Sequence, residues 1–153
     1  MSIETDIKQQ KPFKTPYQKV VVNILYTNNW LSSLQVDISR KYGITPQQYN
    51  VLRILRGQYP NPITVNAIIE RMLDKMSNAS RLVDKLLAKG LVTRQENKDD
   101  RRACDIQITK EGLDVLEEMD VLQQQMDESM KTLTEEEANQ LSFLLDKLRG
   151  SAE

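Results

Sequence analysis

At 153 residues the chain is long enough to bury one sizeable core, and 28% charged with only 5% aromatic residues suits a soluble, helix-rich protein. The absence of histidine removes the usual general base and the commonest metal ligand, and the single cysteine, Cys104, allows neither an intrachain disulfide nor a zinc cluster. A net charge of −1 argues against a nucleic-acid binder only until its distribution is read: Arg71 to Arg102 carries nine basic residues against five acidic ones, whereas Glu111 to the end carries three against twelve.

Residues 1–15 are polar, lack an apolar period and meet breakers at Pro12 and Pro16, so they read as a flexible N-terminal tail. From Tyr17 to Tyr42, the apolar positions Val20, Val21, Ile24, Leu25, Leu31 and Leu34 keep helical spacing, and Gly43 closes the helix. Thr45-Pro46-Gln47-Gln48 then reads as a helix start, with a capping threonine, proline at the first helical position and glutamine completing a capping box. That second helix carries Val51, Leu52 and Leu55 and ends before Pro60 and Pro62. Ile63 is placed to add a short strand, and Thr64 to cap a third helix over Val65–Leu73. Asp74-Lys75-Met76 is the turn that follows.

The stretch from Met76 to Gly112 organises the rest. Ala79, Leu82, Val83, Leu86 and Leu87 form one apolar stripe, and Ser77, Arg81, Asp84, Lys85 and Ala88 fall on the opposite face. Gly90 caps this helix. Two short β runs follow, Leu91–Gln95 and Ala103–Thr109, joined by the charged loop Glu96 to Arg102. Two short helices joined by about three residues are a helix-turn-helix, and the hairpin behind them has a basic tip. A helix for the major groove and a loop for phosphates or the minor groove is a layout that fits DNA. Thr109 starts a long helix with Leu113, Leu116, Met119, Met126, Met130 and Leu133 in period. Thr134 to Glu137 is a second capping box, opening a last helix that runs to about Arg149 with Gly150 behind it. These terminal helices carry more apolar surface than one helical hairpin can bury, which predicts an intersubunit interface.

The same stretch resembles the MarR (multiple antibiotic resistance regulator) family of winged helix-turn-helix proteins. Their wing carries Asp-x-Arg, five residues, then Leu/Ile-Thr-x-x-Gly. Here these are Asp100-Arg101-Arg102, then Ile108-Thr109-Lys110-Glu111-Gly112. The text Ser80-Arg81-Leu82-Val83-Asp84-Lys85-Leu86 followed by Lys89-Gly90-Leu91-Val92 is also family-like. The resemblance covers nearly the whole chain and implies a mainly α fold with a small β wing. In it, a single MarR-like domain over 16–150 holds a winged helix-turn-helix lobe at 44–109 and dimerisation helices at 16–43 and 110–150. It implies a cytoplasmic homodimer on a pseudo-palindromic operator in double-stranded DNA, a repressor released by a small-molecule effector, with no cofactor, metal or membrane.

The expected DNA-binding residues are Ser77, Asn78, Ser80, Arg81 and Lys85 on the recognition helix and Lys98, Asp100, Arg101 and Arg102 on the wing. Arg81 can read guanine, Arg102 can enter a narrow minor groove, and Asp100 can hold that arginine in place. Asp84 is expected to pair with Arg81 or Lys85. Family members often bind small aromatic molecules between the DNA-binding lobe and the dimer helices, and Tyr17, Trp30, Tyr42 and Tyr49 lie in segments that would line such a cleft. Peroxide-sensing members carry their cysteine in the first helix, where this chain has none. Glu135 to Glu137 favour a helix N-terminus rather than catalysis, and no Gly-rich phosphate loop is present, so an enzyme is not expected. The alternative is a winged-helix dimer acting as a protein-interaction module without specific DNA binding.

Overall fold

A computed structural model describes residues 2–97 and 103–151. The polar N-terminal stretch departs from expectation, because Ile3–Asp6 form a helical turn, α1. Ile3 is buried, and Lys19 Nζ lies 2.8 Å from Glu4 Oε1. The hydrogen bond from Lys19, aided by Glu4's own backbone N–H, holds the Glu4 carboxyl down at about 2. One apolar contact and one ion pair thus order a segment with no helical period of its own. Pro16 is the first residue of α2, Pro16–Lys41, rather than a breaker. Its missing N–H costs nothing there, and Thr15 Oγ1 caps the helix by accepting from the Gln18 N–H at 3.2 Å.

The capping box at Thr45 forms as the sequence requires. Thr45 Oγ1 accepts from the Gln48 N–H at 3.2 Å, and Gln48 Oε1 accepts from the Thr45 N–H at 2.9 Å. They open α3, Pro46–Arg56. Next come β1 at Ile63–Thr64, α4 at Val65–Arg71 and α5 at Ala79–Ala88, followed by the hairpin strands β2, Val92–Glu96, and β3, Cys104–Ile108. The sheet is antiparallel in the order β1-β3-β2, with Ile63 opposite Ile106 and Val92 opposite Ile108. Between sheet and helices lies the core: Val51, Leu52, Ile68, Val83, Leu86, Ile106 and Leu116 are fully buried. Helix α6, Lys110–Met130, follows β3 at once.

The joint between hairpin and α6 is tight. Thr109 Oγ1 donates to the Gly90 carbonyl at 2.8 Å and accepts from the Gly112 N–H at 3.1 Å. Gly90, at φ +71°, makes the left-handed turn that ends α5. Gly112 is required by crowding instead: a Cβ there would strike the Leu91 carbonyl oxygen and come within 2.7 Å of Ile108 Cγ1. The motif residues Ile108, Thr109 and Gly112 therefore tie the end of α5 to the start of α6.

By packing, the chain divides into two units, Met1–Leu116 and Glu117–Glu153. The second contains the remainder of α6 and helix α7, Glu135–Leu148, which begins at the capping box of Thr134 and Glu137. None of the residues of α7 is buried, and Leu141, Phe143, Leu144 and Leu148 are exposed. In the first unit, α2 likewise leaves Tyr17, Val21, Leu25 and Trp30 exposed.

Candidate nucleic-acid interface

Helix α5 turns Ala79, Val83 and Leu86 into the core, and half-buries Leu82. Leu87, expected on the same stripe, is exposed. The outward face presents Ser80, Arg81, Asp84, Lys85 and Ala88. The helix begins two residues later than the polar text suggests. Asn78 is its N-cap, with Oδ1 accepting from the Arg81 N–H at 3.0 Å. Ser77 stands outside the helix and donates its hydroxyl to Asp74 Oδ2 at 2.6 Å. This bond, with a second from the Met76 N–H, holds the Asp74 carboxyl below its ordinary value of 3.8. The side chains of Ser77 and Asn78 are thus engaged within the chain, while Ser80, Arg81 and Lys85 point outward on a rigid, core-anchored helix.

Asp84 pairs with neither Arg81 nor Lys85. Its carboxylate lies 2.7 Å from the Arg94 guanidinium on β2. The i−3 and i+1 neighbours share its helix, but β2 runs alongside and brings a cation across. Arg94 thereby offsets the one carboxylate on this otherwise basic face, a function that no helical spacing announces. Lys89 is also taken up structurally, donating from Nζ to the Gly43 carbonyl at 2.6 Å. On the hairpin, Asn97 Nδ2 donates to Asp105 Oδ1 at 2.8 Å. The wing-tip residues Lys98, Asp100, Arg101 and Arg102 lie outside the described residues.

A profile of the MarR family matches residues 42–103, from the residue after α2 to the residue before β3. The HTH-type transcriptional repressor MdtR of Bacillus subtilis is 36% identical over 119 residues, covering 77% of this chain and 76% of that protein. This chain belongs to the MarR family. MarR proteins are transcriptional regulators, not enzymes. The fold agrees: a MarR transcription factor from Planctomyces limnophilus superposes with a TM-score of 0.66 at 25% identity, covering 88% of this chain and 98% of the other. A cysteine-to-serine mutant of MarR from Escherichia coli complexed with operator DNA gives 0.71 at 24% identity, covering 88% and 99%. This MarR-family chain is therefore a winged helix-turn-helix protein in which α4 and α5 are the two helices and β2–β3 the wing.

A cleft of about 770 Å³ opens between α2, α3 and the turn after α4, lined among others by Leu31, Gln35, Ser39, Asn50, Met72 and Leu73. None of the four aromatic residues expected at an effector site lines it. Tyr17 borders a different depression on α2, with Phe13, Val21 and Val22. Trp30 is exposed on α2; Tyr42 and Tyr49 are half-buried, their rings beneath Lys41 Nζ at 5.5 Å and the Arg53 guanidinium at 5.8 Å.

Proposed function

We propose that this MarR-family protein is a cytoplasmic, homodimeric repressor that binds a pseudo-palindromic operator through α5 and the wing. The observation that carries the reading is the outward face of α5. Ser80, Arg81 and Lys85 stand exposed on a helix whose other side is locked into the core, and Arg94 neutralises Asp84 beside them. A rigid helix with a polar, basic face enters the major groove, where Arg81 reads a guanine edge and Ser80 and Lys85 meet bases or phosphates. Ser77 and Asn78 contribute through their backbone and by fixing the helix start. Arg102, oriented by Asp100, enters the flanking minor groove, and Lys98 and Arg101 support it as charges beside the phosphates. Repression follows the role named for the Bacillus subtilis relative.

Dimerisation accounts for the apolar side chains that α2 and α7 each leave uncovered, since a second copy removes them from water. Two symmetric recognition helices then require half-sites about one helical turn apart, roughly 10 bp. A small molecule in the cleft beside Met72 and Leu73 would bear on the turn that leads directly into α5. An effector that binds the free protein more tightly than the DNA-bound form weakens DNA binding by the same factor. Selection of bound fragments from random DNA, with sedimentation of the free protein, tests the reading. A two-fold motif, steep salt dependence and a dimer at micromolar concentration are expected. Asymmetric sites or a monomer would overturn it.

A further inference from the structure

The turn between α4 and α5 spends its polar groups on itself. Lys75 Nζ donates to the carbonyls of Ile69 and Glu70 at 3.2 and 2.6 Å, closing the end of α4. Asp74 accepts from the Met76 N–H at 3.0 Å and the Ser77 hydroxyl at 2.6 Å. Asn78 caps α5. What the turn sends outward is apolar: Leu73 is 85% exposed and Met76 94%. Leu73 borders the cleft beside α2 and α3. Met76 lines neither cleft nor depression, and no other large hydrophobic residue among those described is more exposed. Its backbone is pinned by Asp74, so the place from which the thioether reaches out is fixed.

Position and charge together say what covers it. Met76 lies two residues before the cap of α5, at the end of a recognition helix that approaches the bases. The chain around it is cationic, with Arg71, Lys75, Arg81, Lys85, Lys89 and Arg94 against Asp74 and Asp84 between Arg71 and Arg94. Such a surface suits a polyanion better than an apolar protein partner. In the major groove the one apolar group on offer is the C5-methyl of thymine. We propose that Met76 packs against a thymine C5-methyl in each half-site and makes the operator thymine-specific at that position. A flexible, polarisable thioether suits such a contact, because it adjusts to the methyl without needing a fixed hydrogen-bond geometry.

This inference rests on the DNA-binding reading above, and deoxyuridine separates the two. Replacing thymine by uracil removes the methyl and leaves Watson–Crick pairing intact. Each thymine of the selected operator is exchanged symmetrically in both half-sites, and the dissociation constant is measured for the wild-type dimer, Met76→Ala and Met76→Leu. At one position the exchange should weaken wild-type binding about three- to fivefold per half-site, the worth of one buried methyl group. Met76→Ala should bind the thymine and uracil duplexes alike, and Met76→Leu should keep the discrimination. Met76 is exposed, so its truncation leaves the core untouched. A wild-type protein indifferent to uracil at every position, or Met76→Ala with undiminished discrimination, overturns the inference and leaves the DNA-binding reading standing. Failure of the wild type to prefer any duplex overturns both.

Discussion

Gly112→Ala sets two physical effects against each other in α6. On helix propensity alone, alanine in place of glycine should stabilise by about 1 kcal/mol. Crowding has the opposite sign. The new methyl would overlap the Leu91 carbonyl oxygen and approach Ile108 Cγ1 to 2.7 Å and Cδ1 to 3.3 Å. The obstacle includes backbone, so relief requires α6 to move away from the end of α5. That movement also strains the Thr109 bonds to Gly90 and Gly112, each worth roughly 1 kcal/mol. Overpacking of this kind costs about 1–3 kcal/mol. With the two bond losses added and the propensity gain subtracted, net destabilisation of about 2–4 kcal/mol is expected. At roughly 2–4 °C per kcal/mol for a chain of this size, the melting temperature should fall by about 4–16 °C. Thermal and urea unfolding at one fixed protein concentration measure it, since the stability of the proposed dimer would depend on concentration. A variant as stable as the wild type, or more so, would show that the joint yields freely and that propensity decides.

Three further outcomes are expected. Arg94→Ala should weaken operator binding, because it leaves Asp84 uncompensated on the recognition face, and adding Asp84→Asn should recover most of the loss; electrophoretic titration of the double variant no tighter than Arg94→Ala would refute the pairing argument. Arg102→Ala should weaken binding more than Arg101→Ala, and Asp100→Ala should weaken it too although bulk charge predicts the reverse; titrations over several salt concentrations decide this, and tighter binding by Asp100→Ala would remove the role given to that carboxylate. Asp74, with its carboxyl held below 3.8 by Ser77 and Met76, should support the turn at neutral pH. That support should be lost only as pH falls through the lowered folded value, because a depressed carboxyl stabilises above its unfolded value. The Met76 amide chemical shift should therefore titrate with a midpoint below 3.8, and a midpoint at or above it would contradict the hydrogen bonding described.

The capping boxes at Thr45 and Thr134, the end of α5 at Gly90 and the helix-turn-helix-hairpin order were legible in the sequence, because each depends on residues within about four positions of one another. So was the joint at Ile108, Thr109 and Gly112 as a motif, although its reason appears only when Leu91 is packed against it. Features decided across the chain were not legible. The expected end of α4 at Leu73 gives way to Arg71, because Met72 turns extended and Asn50 Oδ1 accepts the Leu73 N–H at 3.0 Å from 23 residues away. Asp84 takes Arg94 rather than a helical neighbour because β2 runs beside α5. That the Ser77 hydroxyl is held by Asp74 was not legible either, since the sequence offers Ser77 only as a polar residue near a helix start. The aromatic residues that share a few segments of sequence do not line the cleft, because helical phase and the packing of α2 on α3 decide which side chains face it. Local hydrogen bonding is written in spacing; which exposed group meets which partner depends on how distant elements are brought side by side.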